Sequence, residues 1–127
     1  MSVIALAVLG SAGQASAAPP PSFFGVIPIQ QLEPSEFAQA RQGNIGVVRV
    51  PVIWQSVEPN PGQYDFGQLD YYVSQAAQNG MQIMPFIYTT PSWAVQGCNG
   101  LQCQNVPPLD SPESRQAWQD FLRLLVQ

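Results

Sequence analysis

Four side chains in this sequence could bind a polar ligand by charge or by aromatic contact: Arg49, Trp54, Tyr88 and Trp93. A guanidinium can hold a carboxylate through two parallel hydrogen bonds. Aromatic rings can cover the apolar face of a sugar, and Gln and Thr side chains can bond its hydroxyls. We interpret the four residues as candidates for ligand binding, with a packing role as the alternative in each case.

Arg49 lies within a β-branched run that predicts a buried strand at residues 45–50. A charged side chain inside such a strand needs a paired charge or hydrogen-bond partner, or access to water. Residues 58–62, Glu-Pro-Asn-Pro-Gly, predict a turn. Asp65 is then expected to cap a helix, with Gln68 three residues on as in a capping box. The sequence thus places Arg49 ahead of a loop that leads from a strand into a helix.

Strand and helix patterns alternate three times along the chain. Strands are predicted at residues 23–27, 45–50 and 81–88, and helices at about 35–42, 66–78 and from 112 onward. Ser35 and Ser111 are expected to cap the first and third helices, and Gly43 to end the first. Pro85 within the third strand predicts a bulge or a register break. The alternation predicts an α/β fold with right-handed crossovers and a parallel sheet.

The formal charge of −4, with four arginines and no lysine, provides no basic cluster that would bind nucleic acid or an anionic membrane. The absence of histidine removes the commonest general base, the usual catalytic triads and most zinc sites. Cys98 and Cys103 lie in one long loop, and export would favour a disulfide between them over two free thiols. We expect neither a bound metal nor a cofactor.

Residues 1–17 have the features of a secretory signal peptide. A short apolar run at residues 3–10 precedes Ala15-Ser16-Ala17, a small-x-small cleavage pattern. The run is too short to span a bilayer, which takes roughly 20 residues. An N-terminal membrane anchor and a disordered tail are the alternatives. The sequence predicts a secreted, extracellular protein whose mature chain is residues 18–127 and which has no membrane contact after cleavage.

The stretch from Arg49 to Asp70, R-x-P-x-x-W-x-x-x-E-P-x-x-G-x-Y-D-F-x-x-L-D, resembles the second strand and following loop of clan A glycoside hydrolases. Those enzymes are (β/α)8 barrels, which typically need about 250 residues. The resemblance implies that residues 18–127 are the N-terminal portion of such a catalytic domain. The expected fold is a partial TIM barrel, the first three βα units with a parallel sheet, and the remainder of the barrel is expected downstream.

The resemblance also implies roles for individual residues. In that clan the arginine ending strand 2 lies beside the nucleophilic glutamate and helps to keep it ionised, so Arg49 would act in this way. Glu58 would be a rim or loop-capping residue rather than a catalytic one. The clan's two catalytic glutamates follow strands 4 and 7, and the acid/base comes after an asparagine. Because no Asn-Glu pair occurs here, we assign no catalytic residue to this chain.

The function expected from the resemblance is that of a secreted glycoside hydrolase. In its full-length form it would hydrolyse the O-glycosidic bonds of a β-linked poly- or oligosaccharide by a retaining mechanism. This chain would contribute Arg49, Trp54, Tyr88 and Trp93 to the carbohydrate cleft. The alternatives are a non-catalytic carbohydrate-binding protein and a secreted interaction module without a sugar site.

Overall fold

The computed structural model of the chain describes residues 19–20, 22–97, 103 and 105–127. In that part of the chain, three strands form one parallel sheet in the order β1-β2-β3: β1 (Gly25–Val26), β2 (Val47–Ile53) and β3 (Gln82–Tyr88). The helices are α1 (Pro34–Gln42), α2 (Trp54–Val57), α3 (Gly67–Gln78) and α4 (Pro112–Leu125), with a 3-10 turn at Ser92–Ala94. The predicted α/β alternation and parallel sheet are confirmed.

The two faces of the sheet have different surroundings because successive side chains of a strand point to opposite sides. Val48, Val50 and Val52 of β2 are buried against the helices. Val48 and Val50 belong to one buried cluster with Phe37, Tyr72, Ala76 and Met81, and Val52 belongs to a second with Trp54, Val57, Ala94 and Phe121. The other side of β2 and β3 carries Arg49, Ile53, Met84, Phe86 and Tyr88, and we call these five residues the open face. Met84 and Tyr88 are 53% and 52% exposed on it.

Both prolines within strands keep the register of the sheet. Pro51 pairs with Phe86 and Pro85 pairs with Val50 in an uninterrupted ladder, so the predicted bulge or register break at Pro85 is wrong. Within the described ranges β3 pairs with β2 alone, and an edge strand tolerates a proline. Pro51 is tolerated for a related reason, because β1 pairs with β2 only at Val47 and Val48.

The strand boundaries differ from those predicted. The first strand is only Gly25–Val26, and the second extends past the predicted end at residue 50 to Ile53. Residues 54–57, expected to belong to a polar loop, form the short helix α2 directly after β2. Buried side chains alternate with more exposed ones through Pro51 to Ile53, so the strand continues past the proline at which the prediction ended it.

The helix ends were predicted with mixed success. Ser111 caps α4 as predicted, since its Oγ accepts a hydrogen bond of 3.0 Å from the Ser114 backbone N–H. Ser35 does not cap α1, which begins one residue earlier, after Glu33. Asn44, rather than Gly43, takes the left-handed conformation after α1, with φ of 61°. Asparagine tolerates that conformation better than most residues do.

The start of α3 lies slightly later than expected. The helix begins at Gly67, and the residue in the N-cap position is Phe66 rather than Asp65. Asp65 still contributes, because its Oδ1 accepts a hydrogen bond of 2.9 Å from the Gly67 N–H. The predicted signal segment, residues 1–17, and Cys98 of the predicted disulfide lie outside the described residues, and both stay predictions.

Candidate functional site

The four candidate residues occupy three different environments. Arg49 and Tyr88 lie on the open face of the sheet. Trp54 is fully buried among the helices, and Trp93 lies half-buried on the helix side of the sheet. The structure therefore brings Arg49 and Tyr88 to one surface and places both tryptophans behind it.

Arg49 lies within β2 and its side chain extends toward the carboxyl ends of the strands. It pairs with Met84, four residues before the strand ends at Ile53, so its predicted position at the strand end is wrong. Its Cζ lies 4.0 Å from the centroid of the Phe86 ring, which is one same-face step further along the sheet. This cation–π contact directs the guanidinium toward the rim where barrel active sites lie.

The charge of Arg49 has no ionic partner in the described part of the chain. The ion pair found there joins Arg123 to Asp120 on the surface of α4. Arg49 itself is exposed, with a ring against its guanidinium. A guanidinium held in this way can still donate two parallel hydrogen bonds to a carboxylate. The open face carries no carboxylate, so its five residues offer a binding surface without an acid/base pair.

The end of β3 contains a strained residue that sequence reasoning missed. Tyr88 is followed by Thr89, whose φ of 60° lies in the left-handed region. That conformation is a genuine outlier for a β-branched residue and costs about 1–3 kcal/mol. The hydroxyl Oγ1 of Thr89 is also buried without a hydrogen-bond partner among the described residues. No sequence signal marks this position, because threonine is not a residue that favours positive φ.

Trp54 is the centre of an aromatic cluster. Its ring stacks on Phe121 at 4.9 Å between centroids and is tilted against Trp118 at 5.2 Å. Its Nε1 donates a hydrogen bond of 2.8 Å to Oε2 of Glu58. With 0% of its surface exposed, the ring offers no face to a sugar in this structure. Its environment is that of the packing alternative.

Glu58 is a buried carboxylate that organises two loops. Beyond the bond from Trp54, its Oε1 accepts a hydrogen bond of 2.8 Å from the Gly62 N–H. Its main-chain oxygen accepts one of 3.0 Å from Nε1 of Trp93. The predicted loop-capping role is confirmed by the bond to Gly62, and the residue is only 3% exposed.

Trp93 forms one wall of a groove on the helix side of the sheet. The groove, of about 670 Å³, runs between the loop at residues 58–64 and the first turns of α4. Tyr64 lines it as well, and burial, followed by a hydrogen bond to Glu58, raises the pKa of the Tyr64 phenol. Trp93 is thus positioned by Glu58 and faces away from the surface that carries Arg49.

Replacing Glu58 by glutamine is expected to weaken folding. An amide has a single accepting oxygen, so it cannot accept the bonds from both Trp54 and Gly62, and the protein should lose about 1–3 kcal/mol of unfolding free energy. Urea denaturation measures this loss. Asp70→Asn, at an exposed site on α3, is the matched control and should leave the unfolding free energy unchanged. An unchanged urea midpoint for Glu58→Gln would contradict the role of Glu58 in holding the two loops.

The described residues contain neither a metal-ligand cluster nor a candidate membrane span. Across the described ranges, no three His, Cys, Asp or Glu side chains gather where they could hold a metal ion. No helix in the same ranges combines the length and the apolar character needed to cross a bilayer.

Three solved structures illustrate what this chain is similar to. A family 39 glycoside hydrolase from the gut symbiont Bacteroides cellulosilyticus WH2 matches with a TM-score of 0.61 and 19% identity, over 81% of this chain and 21% of that chain. A beta-galactosidase from the psychrophilic Marinomonas ef1 matches with a TM-score of 0.46 and 27% identity, over 57% of this chain and 12% of that chain. An endogalactoceramidase matches with a TM-score of 0.42 and 21% identity, over 79% of this chain and 32% of that chain. This chain therefore spans about a fifth of the length of the family 39 enzyme.

The first of these structures confirms the predicted fold, the first three βα units of a TIM barrel with a parallel sheet. A comparison with curated proteins found no match. The sequence model of glycoside hydrolase family 42, described as beta-galactosidase, matches residues 30–100, which are more than half of the chain. The predicted resemblance to clan A glycoside hydrolases is thereby confirmed, and the chain belongs to the beta-galactosidase family, glycoside hydrolase family 42.

Proposed function

We propose that this chain is the N-terminal part of a secreted glycosidase that hydrolyses β-linked galactosides in its full-length form. The observation that carries the proposal is the guanidinium of Arg49, which is held against Phe86 on the open face without a carboxylate partner among the described residues. The match of residues 30–100 to the beta-galactosidase family supports the same substrate class.

Arg49 would act on a carboxylate supplied by the remainder of the barrel. An opposite charge within reach lowers the pKa of a carboxyl group by about 1–3 units. A nucleophilic glutamate beside Arg49 would therefore stay ionised while the general acid keeps its proton. Two carboxyl groups about 5–5.5 Å apart would give retention of configuration through a covalent glycosyl-enzyme intermediate.

Tyr88 would contribute substrate contact at the rim. It pairs with Ile53 at the carboxyl end of the sheet and is half exposed. Its ring can cover the apolar face of a sugar, and its hydroxyl can bond the sugar's polar edge. Trp93, held behind this rim by Glu58, would reach a sugar only from the groove on the helix side.

The activity can be tested with the full-length protein and three aryl glycosides. We expect release of 4-nitrophenol from the β-D-galactopyranoside, and at least about tenfold less from the α-D-galactopyranoside and the β-D-xylopyranoside. Proton NMR of the first-formed sugar should show retained configuration. No turnover of any of the three, or inversion at the anomeric carbon, contradicts the proposal.

A non-catalytic carbohydrate-binding protein is the second candidate. The observation that favours it is the open face itself, which combines Arg49, Phe86 and Tyr88 with no carboxylate. Binding of galactose oligosaccharides by calorimetry, with no hydrolysis after prolonged incubation, would select this candidate. We further propose export directed by residues 1–17, which N-terminal sequencing of the secreted protein at Ala18 would test.

A further inference from the structure

Thr89 combines two features that are individually uncommon. Its φ of 60° lies in the left-handed region, as does that of Asn44 at 61°. Asparagine tolerates this conformation, whereas for a β-branched residue it is strained and rare. Its hydroxyl Oγ1 is buried with no hydrogen-bond partner among the described residues, although most buried polar atoms have one. Strain of this kind concentrates at binding and catalytic sites.

Thr89 lines a pocket of about 300 Å³ at the carboxyl end of β3. Its lining residues include the aromatic Tyr88 and Trp118 and the polar Thr90 and Asn105. The remaining lining residues are aliphatic or proline, so the pocket contains no charged side chain. This composition suits a neutral ligand that has an apolar face and several hydroxyls, rather than an anion or a cation.

We propose that this pocket is a subsite for a neutral sugar unit and that the Thr89 hydroxyl bonds one of its hydroxyl groups. The inference rests on the proposed function and names a specificity-determining residue for it. Thr89 lines the pocket, and a rotation about χ1 to another staggered position would be needed to direct Oγ1 at a bound sugar. Binding would then give the hydroxyl the partner that it lacks.

The test compares Thr89→Val and Thr89→Ser in the full-length protein. Valine keeps the β-branched shape and removes the hydroxyl, so KM for 4-nitrophenyl β-D-galactopyranoside or for a β-galacto-oligosaccharide should rise about 3- to 10-fold. The melting temperature should not fall, because the lost hydroxyl had no partner. Serine should keep KM within about twofold. Ser74→Ala, which removes a hydroxyl from the exposed side of α3, is the matched control for KM.

The outcomes separate this inference from the proposed function. An active original protein whose Thr89→Val variant keeps KM for both substrates overturns the inference alone. A Thr89→Val variant that loses melting temperature shows that the hydroxyl is bonded within the full-length fold, which also overturns it. An original protein inactive on every β-glycoside overturns the proposed function and this inference with it.

Discussion

Arg49→Met should lower kcat/KM of the full-length protein by about 100-fold and move the acid limb of its pH profile upward by about 1–3 units. In the proposed mechanism the guanidinium would favour the ionised form of a neighbouring nucleophile, so removing it would raise the pKa of that carboxyl group. A larger share of the enzyme is then protonated and inactive at low pH. The measurement is kcat/KM for 4-nitrophenyl β-D-galactopyranoside at half-unit steps between pH 4 and 8.

Two further variants make the Arg49 result specific. Arg123→Met removes another arginine of the same chain, one whose exposed ion pair with Asp120 contributes little to stability, and it should leave kcat/KM unchanged. Arg49→Lys keeps the charge but loses the planar fork and the ring contact, so it should recover only part of the activity. A fall in kcat/KM for Arg49→Met without any movement of the acid limb would point to a packing role.

Trp54→Ala should destabilise the protein by about 3–5 kcal/mol, the largest stability effect that we expect in this chain. The substitution removes a fully buried ring that contacts Phe121, Trp118 and Trp93. It also leaves the buried Glu58 carboxylate without one of its donors. Urea denaturation followed by far-UV circular dichroism measures the change.

Two comparisons distinguish a core role for Trp54 from sugar binding. Trp54→Phe keeps most of the packing and should cost less than the alanine substitution, because only the bond to Glu58 and part of the ring are lost. Tyr88→Ala, at a half-exposed ring on the open face, should change stability little and should raise KM instead. A Trp54→Ala variant that keeps its urea midpoint and loses sugar affinity would assign Trp54 to the cleft.

The parts of the fold that could be predicted were those set by local patterns. The β-branched run around Arg49 and the Ser111-Pro112 start of α4 specify their elements within a few residues. The extension of β2 through Pro51 could not be predicted, because it depends on how little β1 pairs with β2. That dependence is a property of the assembled sheet and leaves no mark in the local sequence.

The sequence predicted which residues are candidates for the site, but it did not predict how the fold arranges them. Trp54 and Trp93 are both loop-adjacent tryptophans, and only the fold shows that α4 covers the first and half-buries the second. Arg49 was identified from its place in a motif, but the contact of its guanidinium with the Phe86 ring depends on the pairing of β2 with β3. Thr89 was missed because its backbone conformation runs against the preference of its residue type.

The hydrogen bonds of Glu58 have a consequence for redesign of this protein. Its side chain fixes the segment from Trp54 to Gly62, and its main-chain oxygen fixes the turn that holds Trp93. The connections after β2 and β3 are therefore mechanically joined through a single residue. An attempt to exchange either connection for that of a related enzyme should exchange both together. A single exchanged connection would lack the hydrogen bonds that join it to the other through Glu58.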